Sequence, residues 1–357
     1  MKKSWLYQLV RTCFVVMVVF VFSASAMAAS KIGKTTEEII KLAKKEPTAH
    51  ISTTWAGEII KFQKRGFKKK YGLSFTFSNV SGLASRERIL NEALSGIYES
   101  DLVNVSGSLR DKFIKAGVIV PIKYASLFPK VRADIISPKG YFLGTGMNQF
   151  GIAYNPKLVS AANAPKDWQD CLNPMWKGKL AVLARPLTWI QLHFYWKKDK
   201  SIAYHKALKN NKPVWMSSTN GTTAQVASGE FPLLCGVQYH AVKNVLRKDS
   251  GAPIKFVVPP IFPYQVGEAL AVMKGGKSPN SAILLASYLA TDGAVGYGLY
   301  GRSNPNIKGT DAYNYVRKAG AKPVWFGWAA AGAVQANASR EVVSTWGFPK
   351  GRKRKKK

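Results

Sequence analysis

Acid is what this chain most lacks: 19 Asp and Glu stand against 53 Lys and Arg, a formal net charge of +34 over 357 residues. Histidine and cysteine are also sparse, with 4 and 3 copies. The histidines, His50, His193, His205 and His240, show no HExxH or other paired metal-ligand spacing. Neither a GxSxG elbow nor a Walker loop occurs. Gly296-x-Gly298-x-x-Gly301 matches a dinucleotide-binding string, but it follows a helical pattern instead of a strand and is set aside. No RNA-binding or zinc-finger signature accompanies the basic charge. After Phe22 no apolar run is long enough to span a membrane. These absences point away from an enzyme, and no cofactor is expected.

The N-terminus has a clear pattern. Lys2, Lys3 and Arg11 precede the apolar run Cys13 to Phe22, and small residues follow from Ser25 to Ala29. That order is a secretory signal peptide, with the cut expected near Ala28 and residues 1–28 excluded from the fold. The mature chain is expected to be exported and soluble. Removing the signal's basic residues leaves +31, and removing the six in the tail Arg352 to Lys357 leaves +25. The surplus is therefore spread through the body, where it attracts anions of any kind. Cys171 and Cys235 remain after cleavage. Export allows a disulfide between them, and their apolar neighbours equally suit two packed thiols.

Strand and helix alternate along the first half. Thr35 and Glu38 have capping-box spacing ahead of Ile39, Ile40 and Leu42, and Pro47 stops that helix. His50 to Thr53 reads as a strand, Glu58 to Lys70 as an amphipathic helix capped by Gly72, and Leu73 to Phe77 as a second strand. Helix Ser85 to Leu94, strand Asp101 to Val105 and helix Ser108 to Ala116 follow. This pace of βα units predicts an α/β fold with a largely parallel sheet, whose ligands bind beyond the carboxyl ends of the strands. The loops there offer Thr53, Thr54 and Trp55, then Ser81, then Ser106; hydroxyls at helix starts suit an oxyanion and are also routine caps.

Phe142 to Tyr154 is extended and glycine-punctuated, a crossing into a second lobe. Ile254 to Pro260 followed by Gly267 to Met273 is the return. Between them, Lys179 to Ala184 reads as a strand ending at Arg185, which Pro186 holds extended for a two-pronged contact with carboxylate or phosphate; Thr188 follows. Ser217 to His240 then holds a hydroxyl-rich turn (Ser217, Ser218, Thr219, Asn220), a short helix, an apolar strand, and finally Tyr239 and His240. Polar groups bracket both ends of a buried unit, as in ligand sites on α/β scaffolds.

Several blocks together resemble a known family. These are Gly151 to Asn155 (GIAYN), Pro165 to Trp168 (PKDW), Asp170 to Lys179 (DCLNPMWKGK), Ser228 to Glu230 (SGE) and Pro279 to Ala282 (PNSA) with Tyr288-Leu289. With Glu87-Arg88-Ile89, Glu92 and Asp101 to Val103 they run in order over about residues 48–305. The set resembles the periplasmic solute-binding proteins of ABC importers, type II fold, in the branch that binds ferric iron and organic anions.

The resemblance implies two βα lobes joined by two crossing strands and closing on a ligand. Lobe 1 would be residues 29–144 plus 266–345, lobe 2 residues 145–265, and 346–357 a basic disordered tail. It implies a periplasmic monomer that hands a solute to an inner-membrane permease, with no nucleic acid expected. In ferric-binding members consecutive tyrosines ligate the metal, together with an acidic residue after the third strand. Here the pair is Tyr239-His240, and Ser106 stands in the acidic place. Histidine and serine suit an oxyanion better than a hard trivalent cation. The expected cargo is therefore a phosphorylated or carboxylated small solute, held by Thr53, Thr54, Trp55, Ser81 and Ser106 on one wall and Arg185, Thr188, Ser217 to Asn220, Tyr239 and His240 on the other. Ferric iron on Tyr239 and His240 is the alternative cargo, and a secreted basic nucleic-acid binder the remaining rival.

Overall fold

The computed structural model describes residues 32–55, 57–80, 82–330 and 332–347. The expected signal peptide, Ser81 and residues 348–357 of the expected tail lie outside them.

The first half builds as its pattern predicts. Thr35 accepts the Glu38 N–H at the start of α1 (Thr36–Ala43), β1 is Ala49–Thr53, and α2 (Glu58–Tyr71) ends at Gly72 in the left-handed region, φ 72°. Strand β2 is Phe75–Asn79, displaced two residues towards the C-terminus from its expected span. α3 (Gly82–Leu94) and β3 (Leu102–Asn104) follow; the next helix opens with a 3-10 turn, Gly107–Leu109, before α4 (Arg110–Lys115). After β4 (Ile119–Val120) and the one-turn α5 (Tyr124–Leu127), the crossing consists of β5 (Leu143–Gly144) and β6 (Met147–Tyr154).

The second lobe repeats the rhythm with β7 (Leu180–Leu183), α6 (Leu187–Trp196), α7 (Lys198–Asn210), β8 (Val214–Met216), α8 (Thr219–Ser228), β9 (Leu233–Gln238) and α9 (Tyr239–Lys248). Tyr239 and His240 thus open a helix. The return runs through β10 (Lys255–Val257), β11 (Ile261–Val266) and β12 (Ala269–Met273) to α10 (Pro279–Ala290).

Sheet one has the order β2-β1-β3-β12-β4, and sheet two contains β8-β7-β9-β6 with β10 beside β6. In each, three consecutive strands pair in parallel and the strand that has just crossed over pairs antiparallel. The sheets are thus parallel only in part, because a strand entering from the other lobe arrives from the opposite end. This repeated order is the periplasmic binding protein type II fold.

Each lobe has its own core. Every residue of α10 is buried between α1 and sheet one. That leaves the helix's first N–H groups without water, and the Glu46 carboxylate accepts those of Asn280 and Ser281 at 3.0 and 2.8 Å. In sheet two Gly236 bulges out of β9 at φ 79°, where a Cβ would stand 2.6 Å from the Thr188 methyl. This lets the start of α6 close onto the sheet. Cys171 and Cys235 are joined, Cα to Cα 6.4 Å, across a sequence separation of 64. Closing a loop of that size restricts the unfolded chain by about 4 kcal/mol.

The C-terminal part departs most from expectation. After the 3-10 segment Asp292–Tyr300 the chain passes back at Arg302, whose C=O accepts the Met147 N–H at 2.7 Å. α11 (Asp311–Lys318) and β13 (Lys322–Val324), the latter paired with β11, then add to sheet two. Finally α12 (Gly332–Trp346) lies on α6 and α7. Of residues 311–345, expected in lobe 1, β13 and α12 therefore pack with lobe 2, while Trp325 and Trp328 also pack on the lobe 1 core; Trp346, expected to open a disordered tail, is 2% exposed. Its indole N–H donates to His205 Nδ1 at 3.2 Å, while Glu341 pairs with His193 and Lys198. The alanine-rich composition conceals this packing face, whose anchors are Ala338, Val342 and Trp346.

His205 is 0% exposed, and burial, with His193 nearby, pulls it from 6.5 to about 3. The unfolded chain binds the proton more readily, so this histidine's contribution to stability is complete above about pH 6.5 and is lost as pH falls towards 3. Urea midpoints should therefore drop between pH 7 and 4, by up to about 1.4 kcal/mol per pH unit from this group. His205→Gln should give a shallower slope; an unchanged slope would show that another group governs it.

The crossings are bonded to one another: the N–H groups of Gly267 and Glu268 donate to the Gly146 C=O at 2.8 and 2.9 Å. Glu268, 1% exposed, accepts the Thr54 hydroxyl at 2.9 Å and the Trp55 indole N–H. Burial pushes its carboxyl up; Arg302, these two hydrogen bonds and Arg86 oppose the shift. Glu268→Ala, which leaves the Arg302 cation uncompensated at the crossing, should cost about 3–5 kcal/mol in urea unfolding, and Glu268→Gln less. A parent-like midpoint for the alanine variant would show that the pair contributes nothing.

Candidate functional site

The described site residues on the expected list all fall at or beyond the carboxyl ends of the parallel strands: Thr53 to Trp55 at β1, Ser106 after β3, Arg185 and Thr188 after β7, Ser217 to Asn220 after β8, and Tyr239 and His240 after β9. That is where a type II cleft lies. The structure gives these residues different tasks.

Several hold their own loops. Thr53 is buried, and its hydroxyl accepts the Trp55 N–H at 3.4 Å. Trp55 turns inward to Glu268 and packs edge-on against Tyr297. Arg185 is exposed and donates from Nε to the Ser217 C=O at 3.0 Å, while the Ser218 hydroxyl accepts the Gly221 N–H and caps α8. Thr219 and Thr188 are buried, and neither hydroxyl has a partner. Asn220 lines a separate groove of about 530 Å³ between α8 and α9.

Tyr239 and His240 sit in a cationic, desolvated corner. The Tyr239 ring packs on Phe256 and Tyr315, and burial with Asp311 nearby pushes the phenol up to about 12. Burial and the Arg302 cation pull His240 down to about 3, so it is neutral, and its Nδ1 has no partner. A trivalent cation needs phenolate and other anionic oxygens, and Tyr239 is the one phenol of the expected pair here. Among the described residues no group of three or more His, Cys, Asp or Glu is placed to hold a metal ion.

A cavity of about 300 Å³ opens between the lobes, at the lower end of ordinary ligand pockets. Lobe 1 contributes Ser106 and Arg110, the crossing strands Asn148 and Gln265, and the first turns of α6 Leu187 and Gln191. Trp325, Trp328 and Gln335, from the segment that follows β13, supply another side. Of the expected residues Ser106 alone lines it, with Thr188 next in the chain to Leu187.

Arg110 is the one formal charge among the described residues that line the cavity. Its guanidinium lies 4.9 Å from the Trp328 ring centre and 5.9 Å from that of Phe142, and these two rings are stacked. Burial pulls Arg110 to about 10, with Asp111 opposing, which leaves it a cation at neutral pH. Arg110 Nε, Ser106 Oγ and Trp328 Nε1 are all shielded from water and without a hydrogen-bond partner. Unpaired buried donors cost about 1–3 kcal/mol each, a cost that an entering acceptor would remove. Sequence reading missed Arg110 and the tryptophans. Arg110 lies four residues past Ser106 at a helix start, and the run Trp325-Phe326-Gly327-Trp328 was a visible aromatic cluster, but nothing in the sequence places that run opposite Ser106.

Comparison with known proteins agrees with the architecture. No curated protein matches the chain in sequence. Among solved structures, a Trichodesmium protein, IdiA (FutA), in complex with iron and citrate is 17% identical with a TM-score of 0.67, covering 84% of this chain and 99% of the other. Ferric iron-binding protein A of Mannheimia haemolytica, in an open conformation, is 16% identical with a TM-score of 0.67, again covering 84% and 99%. The Atu4243–GABA receptor is 16% identical with a TM-score of 0.60, covering 84% and 96%. At such identities these structures share the fold with this chain. The profile of the bacterial extracellular solute-binding proteins matches residues 100–288, more than half the chain, from before the third strand through most of α10. By that match and by the two-lobed architecture, the chain belongs to the family of bacterial extracellular solute-binding proteins.

Proposed function

We propose that this chain is the exported receptor of an ABC importer, which captures a small organic anion between its lobes and delivers it to a permease in the inner membrane. The carrying observation is the cavity with one half-buried guanidinium, unpartnered donors and, among the described residues, no carboxylate on its walls. An anion entering there would gain charge-assisted hydrogen bonds from Arg110 and Ser106, strengthened as closure excludes water. Both partners lie in lobe 1, and Leu187 and Gln191 face them from lobe 2. Thr188, its hydroxyl unpaired at the start of α6, is the expected lobe 2 residue best placed to join them on closure. The chain acts by binding, and its solute leaves unchanged.

Ferric iron is the second reading. Tyr239 opens the helix after β9, and similar structures are described as ferric iron binders or iron complexes. Histidine in place of the second tyrosine and the Arg302 cation beside His240 weigh against it; the same fold occurs in a structure described as the Atu4243–GABA receptor.

Mass spectrometry of the solute that copurifies with the native protein tests the main reading. Arg110→Gln should retain that solute at least about tenfold less well, the loss of one charge-assisted hydrogen bond, and Ser106→Ala less well by a smaller factor. Equal loading of parent and both variants would sink the site. A visible tyrosinate-to-iron band on adding ferric salt, abolished by Tyr239→Phe, would move the assignment to iron.

A further inference from the structure

We infer that the ligand is a monocarboxylate with a flat, apolar body, and that Trp325, Trp328 and Gln335 form a third wall of the cleft which selects that body. This inference rests on the reading of the cavity as an anion site.

Charge comes first. Among the described residues Arg110 is the single ionised side chain on the cavity wall. One cation balances one carboxylate, whereas a phosphate monoester brings nearly two charges at neutral pH, and the excess would be buried without a partner. The nearest acid acting on Arg110 is its neighbour Asp111, and Glu268 is already engaged with Thr54, Trp55 and Arg302. The guanidinium is therefore free to be neutralised by the ligand.

Shape comes next. Trp325 and Trp328 stand edge-to-face with ring centres 6.0 Å apart, and both border the cavity. Leu187 and Val266 add aliphatic surface. Trp328 is held on one side by Phe142 and Arg110, and Trp325 by Tyr264 at 5.9 Å. Rings fixed in this way form a rigid apolar corner, and a flat apolar group laid against it is rewarded because its burial costs no rearrangement of the walls. The Trp328 indole N–H, unpartnered, lies beside the guanidinium and offers a second donor to the same carboxylate.

The wall is fastened to lobe 2. The Phe326 N–H donates to Gln191 Oε1 at 3.0 Å, β13 pairs with β11, and α12 is docked through Trp346 and Glu341. Arg110, however, belongs to lobe 1. The contact between the Arg110 guanidinium and the Trp328 ring thus spans the two lobes at the cavity mouth, and a carboxylate arriving at Arg110 would meet the aromatic wall at once.

Calorimetry on the full mature chain with four probes tests this: 3-phenylpropionate, its neutral amide 3-phenylpropanamide, propionate, and phenyl phosphate. The expected order has 3-phenylpropionate tightest, with each of the others at least about tenfold weaker. Trp328→Leu should bring 3-phenylpropionate down to the level of propionate, Trp328→Phe should restore part of the difference, and Arg110→Gln should abolish the preference over the amide. Circular dichroism melts of each variant would identify any that fail to fold, and the probe order in the parent decides the matter without them. Equal binding of propionate and 3-phenylpropionate, or tighter binding of phenyl phosphate, would overturn the inference while leaving Arg110-dependent anion capture intact. Failure of every anionic probe and of the copurified solute to depend on Arg110 would overturn both.

Discussion

The arrangement depends on a carboxylate placed where the two sheets exchange strands. Glu268 sits between β11 and β12, beside the Gly146 carbonyl that the other crossing strand presents. A buried carboxylate would be costly alone, and four groups offset the cost: the Thr54 hydroxyl and Trp55 indole by hydrogen bonds, the Arg302 and Arg86 guanidinia by their charge. Arg302 in turn donates to Asn148 at the start of β6. The loop after β1, the return passage and both crossings are therefore tied at one point. A binding protein of this type needs lobes that move relative to each other without losing register. Hydrogen bonds confined to the crossings meet that need, because they fix the pivot and leave the distant faces free.

Part of this was legible in the sequence, since the relevant signals are local. The cap at Thr35, the glycine after α2 and the βα rhythm depend on neighbours within a few residues, and they placed the early elements to within two residues or so. β2 slipped because Leu73 to Phe77 and Phe75 to Asn79 alternate equally well, and only pairing with β1 decides between the two frames. The C-terminal end of the chain was misplaced for a different reason. Whether α12 lies on lobe 1 or lobe 2 is fixed by Trp346 meeting His205 and by Glu341 meeting His193, pairings separated by 141 and about 150 residues. Periodicity carries no information about them. The alanine-rich run concealed the helix as well, since small residues mark its face less plainly than leucines would.

The candidate site divides in the same way. Strand ends were predictable, so every described residue of the proposed clamp falls on the cleft side of its sheet. Which of them face a ligand was not, because short hydroxyls serve caps and loops as readily as they serve anions. Ser218 caps a helix and Arg185 secures a carbonyl, while Ser106 keeps an unpaired hydroxyl. The distinction appears only once the partners of each group are known. Arg110 and Trp328 illustrate the converse: both lie in ordinary local contexts, and their meeting is purely tertiary.

The basic body and the cavity act at different ranges. A surplus of +25 in the body, without signal or tail, draws any anion towards the protein, yet at physiological salt such a field fades within about 8 Å of the surface. It raises the encounter rate and discriminates little between carboxylate, phosphate and nucleic acid. In the proposed reading selection then falls to the cavity, where the Arg110 guanidinium has its chain neighbour Asp111 as the acid acting on it. There a second negative charge is a cost, and an apolar body is a gain only if rigid rings are waiting for it. Trp325 and Trp328 are held in place by contacts that exist without ligand, to Tyr264, to Phe142 and to Arg110 itself. The selective element is thus present before the lobes close, and closure serves to retain the ligand.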